Sequence, residues 1–567
     1  MTDIETQDCF CSSAPDPDNL FNFMDRWSQA QLAKITGGIS PAGLRTSYFS
    51  WAAQLMQSPG RCLQLALSAG LYPTKRSVLC NDVRFHSEHW QNMPWRMFAE
   101  NFMSVESWWR LATEDIPGLS AHTEKVISFV VRQGLDAWSP ANFIFTNPEL
   151  FYETYRSSGK NILHGTEVAI KDSMARITGT PPEHMEDFIP GKQVAITPGR
   201  VIFCNHLIEL IQYDAQTTTV YKEPILILPA WIMKYYILDL SPNNSMVDWL
   251  VKQGHTVFMV SWRNPTREDR DLAMDDYYRL GAMTAIDMVA KQRPKTKIHL
   301  MGYCLGGTLA LITAAAMAQH NNKRLQSLTL LAAQGDFTEA GELMLFINKS
   351  ELSFLENMMW EQGYLDTKQM AGSFQMLRSY DLIWSKIIHD YMHVEKSKII
   401  DLLAWNADAT RMPYKMHSEY LEKFFLRNDF VAGRLLVENQ IVVAENIRVP
   451  AFVVSTEKDH VAPWHSVYKT HLMLRGPITF VLTSGGHNAG IISEPGHPGR
   501  TYRIHSSPRN SVYKGPDQWY LDAEQRTGSW WLEWSKWLAD RSSILQMQAP
   551  DVDTKLPMAP GDYVLQK

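Results

Sequence analysis

Cys304 stands in Gly302-Tyr303-Cys304-Leu305-Gly306-Gly307, between the apolar run Lys297-Ile298-His299-Leu300-Met301 and the stretch Thr308-Leu309-Ala310-Leu311-Ile312-Thr313-Ala314-Ala315-Ala316. The pattern predicts a strand, a tight turn and a helix, with a sulfur nucleophile at the apex. It is the nucleophile elbow G-x-S-x-G with cysteine in the place of serine. Small residues flank the nucleophile because the turn is strained and the following helix packs close to the strand. The helix N-terminus directs free N–H groups toward the sulfur, which favours thiolate and stabilises a developing oxyanion.

Such a nucleophile needs a base and an acid, which in this arrangement follow it in chain order on loops after strands. Both positions are filled. The run Ala451-Phe452-Val453-Val454-Ser455 leads into Thr456-Glu457-Lys458-Asp459-His460, and Ile478-Thr479-Phe480-Val481-Leu482 leads into Thr483-Ser484-Gly485-Gly486-His487. A free thiol of pKa about 8.5 is only a few per cent ionised at neutral pH. His487 is expected to accept its proton, and Asp459 to fix the imidazole tautomer and stabilise the imidazolium. Glu457 and His460 are rivals close by. They rank lower because Asp459 clears the strand end far enough to reach a neighbouring loop, and His460 is expected to border the site. The expected oxyanion hole combines the Leu305 N–H with one from Ala230 or Trp231, on the loop after the strand Pro224-Ile225-Leu226-Ile227-Leu228-Pro229. A thiol attacking a thioester exchanges one sulfur for another and keeps the acyl group activated. Cysteine therefore favours acyl transfer from a thioester over hydrolysis.

A sheet must position these groups. After the strand at 224–229, a helix from Ser241 to Gln253, a strand from His255 to Trp262 and a helix from about Asp276 to Lys291 lead to the elbow, and Leu325–Leu331 follows it. This alternation predicts an α/β domain with a mostly parallel, doubly wound sheet, spanning 186–545. From about 335 to 445 helical, aromatic-rich sequence interrupts it, and an insertion of that size is expected to cap the active site. Residues 41–185 carry helical apolar faces, such as Val126-Ile127-Ser128-Phe129-Val130-Val131, and break at Thr180-Pro181-Pro182. The acidic segment 1–40, with Pro15 and Pro17, is expected to be poorly ordered, and 546–567 to form a C-terminal tail.

A chain of 567 residues exceeds one ordinary core, so two or three domains are expected. A net charge of −6 gives no electrostatic case for nucleic-acid binding. Acidic residues precede the first Lys or Arg, unlike a signal peptide, and no apolar run is long enough to span a membrane. Cys9-x-Cys11 lacks a second ligand pair, and His86-Ser87-Glu88-His89 is not H-E-x-x-H, so no metal or other cofactor is expected. Six cysteines in this length do not make a disulfide framework, and a working thiol points to the reducing cytoplasm. The 19 Trp, 23 Phe and 27 Met are enough to fill cores and leave a surplus for an apolar groove or surface.

The elbow resembles that of the poly(3-hydroxyalkanoate) polymerases. So do Pro229-Ala230-Trp231-Ile232-Met233-Lys234-Tyr235-Tyr236-Ile237-Leu238-Asp239-Leu240, Gln253-Gly254-His255-Thr256-Val257-Phe258 and Ser261-Trp262-Arg263-Asn264-Pro265. Further matches are Trp405-Asn406-Ala407-Asp408, Thr410-Arg411-Met412-Pro413, Asp459-His460-Val461-Ala462-Pro463-Trp464, Gly485-Gly486-His487-Asn488-Ala489-Gly490 and Gly528-Ser529-Trp530-Trp531. They run in family order from roughly residue 80 to 540, and the single-chain length suits class I members. The resemblance implies polymerisation of (R)-3-hydroxyacyl-CoA, 3-hydroxybutyryl-CoA foremost, into polyester with release of CoA. It also implies an α/β-hydrolase fold, a Cys304-Asp459-His487 triad, a helical N-terminal domain, a mobile cap, homodimers and residence on cytoplasmic polyester granules. Where the family reads Pro-Pro-Trp-Ile-Asn-Lys, Ala230 and Met233 replace a proline and an asparagine, a departure that bears on acyl preference or rate. The competing readings are a cysteine-triad ester or thioester hydrolase of the same fold and a non-catalytic granule-coating protein.

Overall fold

Strands that are apolar on both faces must be covered on both faces, and the central strands of this chain meet that condition. The computed structural model describes residues 17–36, 40–69, 82–178, 185–367, 369, 383–393, 400–543, 547–548, 553 and 555–567. Cys9, Cys11 and the Pro181-Pro182 break lie outside the described residues. In chain order the large sheet contains β1 (Gly199–Cys204), β2 (Ile208–Tyr213), β3 (Ile225–Leu228), β4 (Val257–Trp262) and β5 (Ile298–Tyr303). It continues with β6 (Leu325–Leu331), β7 (Ala451–Thr456), β8 (Ile478–Thr483), β9 (Thr501–Ser507) and β10 (Glu524–Thr527). These ten strands lie side by side in the order β1-β2-β4-β3-β5-β6-β7-β8-β9-β10. From β4 to β8 neighbouring strands are parallel, while β1, β2, β9 and β10 close the edges with antiparallel pairs. Every residue of β3, β4, β5, β7 and β8 is buried.

The sequence pattern predicts the parallel strands and misses the antiparallel edges. The physical reason is composition: β9 mixes Tyr502 and Ile504 with Arg, His and Ser, and β10, Glu524-Gln525-Arg526-Thr527, is polar throughout and largely exposed.

The elbow helix, Leu305–Gln319, is buried from Leu305 to Met317, which explains its run of Ala, Gly, Leu and Thr. A Cβ on Gly306 would strike the Leu228 and Pro229 carbonyl oxygens, one on Gly302 would strike the Gly307 backbone, and one on Gly307 would strike the Ala333 methyl. The helix can approach the sheet this closely only because these positions have no side chain.

Between β6 and β7 the chain leaves the sheet and builds a helical layer over its C-terminal edge, with Lys349–Gln362 and Tyr414–Tyr420 among its helices. N-terminal helices brace that layer. Ser40 N–H donates to Glu351 at 2.7 Å, Asn161 donates to the Met392 carbonyl at 2.9 Å, and Phe129 packs edge-on against Phe346 at 5.2 Å. Within the segment expected to be poorly ordered, Pro17–Thr36 is a helix. Ala30 and Ala33 are buried, and Phe23 meets Trp360 of the insertion at 5.7 Å. Its support is a partner more than three hundred positions away, which local composition does not reveal.

The expected C-terminal tail is docked at its end. Glu209 accepts the Asp562 and Tyr563 N–H groups at 3.2 and 3.0 Å, and the Lys234 ammonium donates to the Gln566 carbonyl at 2.6 Å.

Gly306→Ala should destabilise the protein by about 1–3 kcal/mol, the usual effect of overpacking. Gly60→Ala is the control: its Cβ meets nothing, and a helical Gly→Ala change should stabilise by about 0.4–1 kcal/mol. Thermal midpoints of the two variants against the parent check both signs.

Candidate active site

β5 ends at Tyr303 and the elbow helix starts at Leu305, so Cys304 alone makes the turn. It does so at φ 52° and ψ −122°, a left-handed conformation that side chains other than glycine seldom adopt. Its N–H bonds the Leu331 carbonyl at 2.9 Å, and its own carbonyl accepts from Gly307 at 2.9 Å and Thr308 at 3.2 Å. These bonds hold the strain in place. Leu305, the first helical residue, has no intrahelical acceptor for its N–H.

His487 Nδ1 is 2.8 Å from Asp459 Oδ2. The Asp459 side chain is fully buried, and that of His487 is 11% exposed. The other Asp459 oxygen accepts the Val461 and Ala462 N–H groups at 2.9 and 2.8 Å. Burial disfavours the Asp459 charge, but His487 and these N–H groups outweigh it and hold the carboxyl below its usual range. Burial likewise opposes the His487 imidazolium. The Asp459 charge, the Cys304 sulfur and hydrogen bonds to both prevail, and the imidazole pKa stands well above its ordinary value. Cys304, His487 and Asp459 thus form one electrostatic unit. Beside it, the Tyr303 hydroxyl donates to Asn488 at 2.6 Å, and the Tyr303 ring lies 5.8 Å from that of His487.

Of the rivals, Glu457 is exposed, with its N–H on the Thr483 carbonyl at 2.9 Å. His460 is half-buried between Asp459 and Val461, which lines the cavity. Among the described residues no cluster of His, Cys, Asp or Glu could hold a metal ion. His86 bonds the Val83 carbonyl at 2.8 Å.

Two loops are pinned by segments distant in sequence. The His487 loop is held by Trp530 and Trp531, whose indole N–H groups donate to the Gly490 and Ile491 carbonyls at 3.1 and 3.0 Å. The Ser529 hydroxyl donates to the Ser493 carbonyl. The loop after β3 is held by the insertion: Thr410 donates to the Trp231 and Ile232 carbonyls, and the Trp405 indole donates to the Lys234 carbonyl at 2.7 Å. Ala230 and Trp231 are buried in this loop, and Ile232 is its residue at the cavity wall.

Above Cys304 lies a cavity of about 150 Å³. Leu305, Thr308 and Ile232 form its floor, and Leu343, Phe346, Leu355, Met358, His417, Tyr420 and Phe425 of the insertion form its roof. The roof was invisible in sequence as particular residues, although its aromatic richness was not. A half-buried thiol and an imidazole–carboxylate pair beside an apolar chamber have the chemistry to carry a covalent acyl group while limiting access of water.

An eight-strand core in the order 1-2-4-3-5-6-7-8, with the elbow cysteine after β5, Asp459 after β7 and His487 after β8, defines an α/β-hydrolase fold. The alpha/beta hydrolase fold family model matches residues 223–491, the poly-beta-hydroxybutyrate polymerase N-terminus model residues 81–250, and a second N-terminal model of that polymerase residues 19–61. The chain is 38% identical over 502 residues to the poly(3-hydroxyalkanoate) polymerase of Methylorubrum extorquens, covering 86% of this chain and 81% of that one. It is 36% identical to a poly(3-hydroxyalkanoate) polymerase subunit of Rhizobium meliloti, with 85% and 79% covered. It is 33% identical to that of Cupriavidus necator, with 86% and 83% covered. The chain belongs to the poly(3-hydroxyalkanoate) polymerase family.

The raised His487 pKa has a consequence for stability. An unfolded imidazole titrates at about 6.5, so the folded imidazolium stabilises fully below that pH. The contribution is lost as pH rises through the folded pKa. Asp459→Asn removes the foremost charge that raises this pKa, so the variant should lose less thermal stability than the parent over the same rise. Thermal midpoints from about pH 6 to about pH 9 measure the two slopes, and equal slopes contradict the linkage.

Proposed function

We propose that the protein polymerises (R)-3-hydroxyacyl-CoA, with 3-hydroxybutyryl-CoA as the foremost substrate, through a covalent thioester on Cys304. The observation that carries this reading is the Asp459–His487 pair beside a strained Cys304 that faces an apolar, capped cavity. A cavity of about 150 Å³ is the size that takes up benzene. A 3-hydroxybutyryl group has about as many heavy atoms, so the volume favours short acyl chains.

In the first half-reaction the Cys304 proton rests on His487, whose imidazolium is stabilised by Asp459 and pairs with the thiolate. The thiolate adds to the thioester carbonyl, and the oxyanion is received by the Leu305 N–H with a partner on the Ala230–Trp231 loop. The tetrahedral species collapses, expelling the CoA sulfur, which takes the proton from His487. In the second, His487 removes the proton of a 3-hydroxyl, whose oxygen attacks the acyl carbonyl. One thioester becomes an oxygen ester, and a thiol is regenerated. The cap limits water, so the hydroxyl is the favoured acceptor.

Polyester-granule residence in the cytoplasm and a homodimer complete the proposal. Exposed apolar side chains on the N-terminal helices, including Phe49, Leu163 and Ile177, support contact with an apolar surface. Among the described residues no helix is long and apolar enough to cross a membrane.

Cys304→Ala should abolish CoA release and leave the fold intact, because a small-to-small change opens little cavity. In the parent, thiol release and insoluble polymer should rise together. Free 3-hydroxybutyrate equal to the CoA released, without polymer, would replace this reading by a hydrolase.

The base and the carboxylate should separate experimentally. His487→Gln should lose both first acylation and elongation. Asp459→Asn should keep a larger share of acylation, because a thiol ionises more readily than a hydroxyl, and should stall with a short acyl chain on Cys304. Intact-mass spectrometry after mixing with 3-hydroxybutyryl-CoA distinguishes these outcomes, and normal elongation by Asp459→Asn refutes the division.

A further inference from the structure

The cavity above Cys304 is apolar apart from a few side chains, and most of those are already engaged. The Thr308 hydroxyl donates to the Gln334 carbonyl at 2.9 Å, Gln334 Oε1 accepts from Ser466 at 2.9 Å, and Gln369 Oε1 accepts from the Asp366 N–H at 3.0 Å. The Gln334 amide nitrogen, His417 and Tyr420 remain, and the last two come from the insertion. They stand three residues apart on the helix Tyr414–Tyr420, on one face, and both line the cavity.

His417 is only 7% exposed, and its Nδ1 has no hydrogen-bond partner among the described residues. Burial pushes its pKa down to about 4, so the ring is neutral and presents one N–H donor and one acceptor nitrogen. A buried polar atom without a partner is uncommon in a native fold and calls for an explanation. Next to it, burial and the nearby Cys304 sulfur keep the Tyr420 phenol protonated. The cap thus sets a neutral, hydrogen-bonding face opposite the nucleophile. It suits a hydroxyl, which both donates and accepts, and it offers a carboxylate or phosphate no positive charge.

We propose that His417 binds the 3-hydroxyl of the acyl group at Cys304 and so distinguishes a 3-hydroxyacyl thioester from an unsubstituted one. This assignment rests on the acyl-transfer reading of the site. A substrate lacking the hydroxyl leaves the imidazole desolvated and unpaired, which is the strongest form of discrimination available to a small pocket. His417 is then a specificity-determining residue supplied by the cap, distinct from the base His487.

The test is the rate at which Cys304 is acylated by (R)-3-hydroxybutyryl-CoA and by butyryl-CoA, read by intact mass in single turnovers. The parent should prefer the hydroxylated substrate by about tenfold or more in kcat/KM. His417→Phe should bring that ratio close to one by losing the hydroxylated substrate while butyryl transfer is kept. His417→Gln, which retains a donor and an acceptor, should preserve more of the preference. A parent without preference, or a folded His417→Phe with the parent's ratio, overturns the assignment. If His417→Phe does not fold, the parent ratio and that of His417→Gln decide: both must favour the hydroxylated substrate. The measurement does not depend on polymer. Selective acylation followed by hydrolysis would defeat the polymerase reading and leave the His417 assignment standing.

Discussion

The close approach of the elbow helix to the sheet is the constraint on which the site depends. Gly302, Gly306 and Gly307 let backbone meet backbone where a single methyl group would collide. Cys304 is thereby forced to a positive φ at the strand end, with its sulfur lifted toward the cavity and the helix N-terminus beneath it. The strain is local, and the surrounding packing is what makes it tolerable: the helix is buried along nearly its whole length, and the strand before it is buried throughout. A looser junction would relax the turn and lose the aim of the sulfur.

His487 and the loop after β3 lack such a scaffold of their own, since both lie on irregular backbone. They are instead tied down by side-chain donors reaching from other parts of the chain to their carbonyls. Trp530 and Trp531 grip the His487 loop, and Trp405 and Thr410 grip the loop after β3. An indole is well suited to this task, because its apolar body fills the core while its single N–H fixes one carbonyl. Trp405, Trp530 and Trp531 each hold a loop carbonyl in this way.

Electrostatics and burial act in opposite directions at the triad, and the balance is set by hydrogen bonding. Water is nearly excluded from Asp459, which alone would favour the neutral acid. Two backbone N–H groups and the imidazole restore the carboxylate, and the carboxylate in turn favours the imidazolium. On the opposite wall His417 has burial without any compensating charge, so it remains neutral. The two histidines are therefore pushed in opposite directions by their surroundings, His487 up by the Asp459 charge and His417 down by burial.

The sequence by itself determined the parts whose information is local. Gly302–Gly307 announces the turn, continuous apolar runs announce the parallel strands, and chain order places Asp459 and His487 on the two loops whose side chains meet at 2.8 Å. Tertiary structure decided what depends on distant partners. The helix Pro17–Thr36 forms against Trp360 despite a polar, acidic beginning, and the C-terminal residues dock on Glu209 and Lys234 instead of trailing as a tail. The edge strands β9 and β10 carry little strand signal, because an edge tolerates polar residues: β9 interrupts its apolar positions with Arg and His, and β10 has none. His417 and Tyr420 gave no local signal either: an isolated histidine on a helix looks the same whether it faces solvent, core or cavity. Only the packing of the insertion over Cys304 brings that histidine to the cavity that Cys304 also lines.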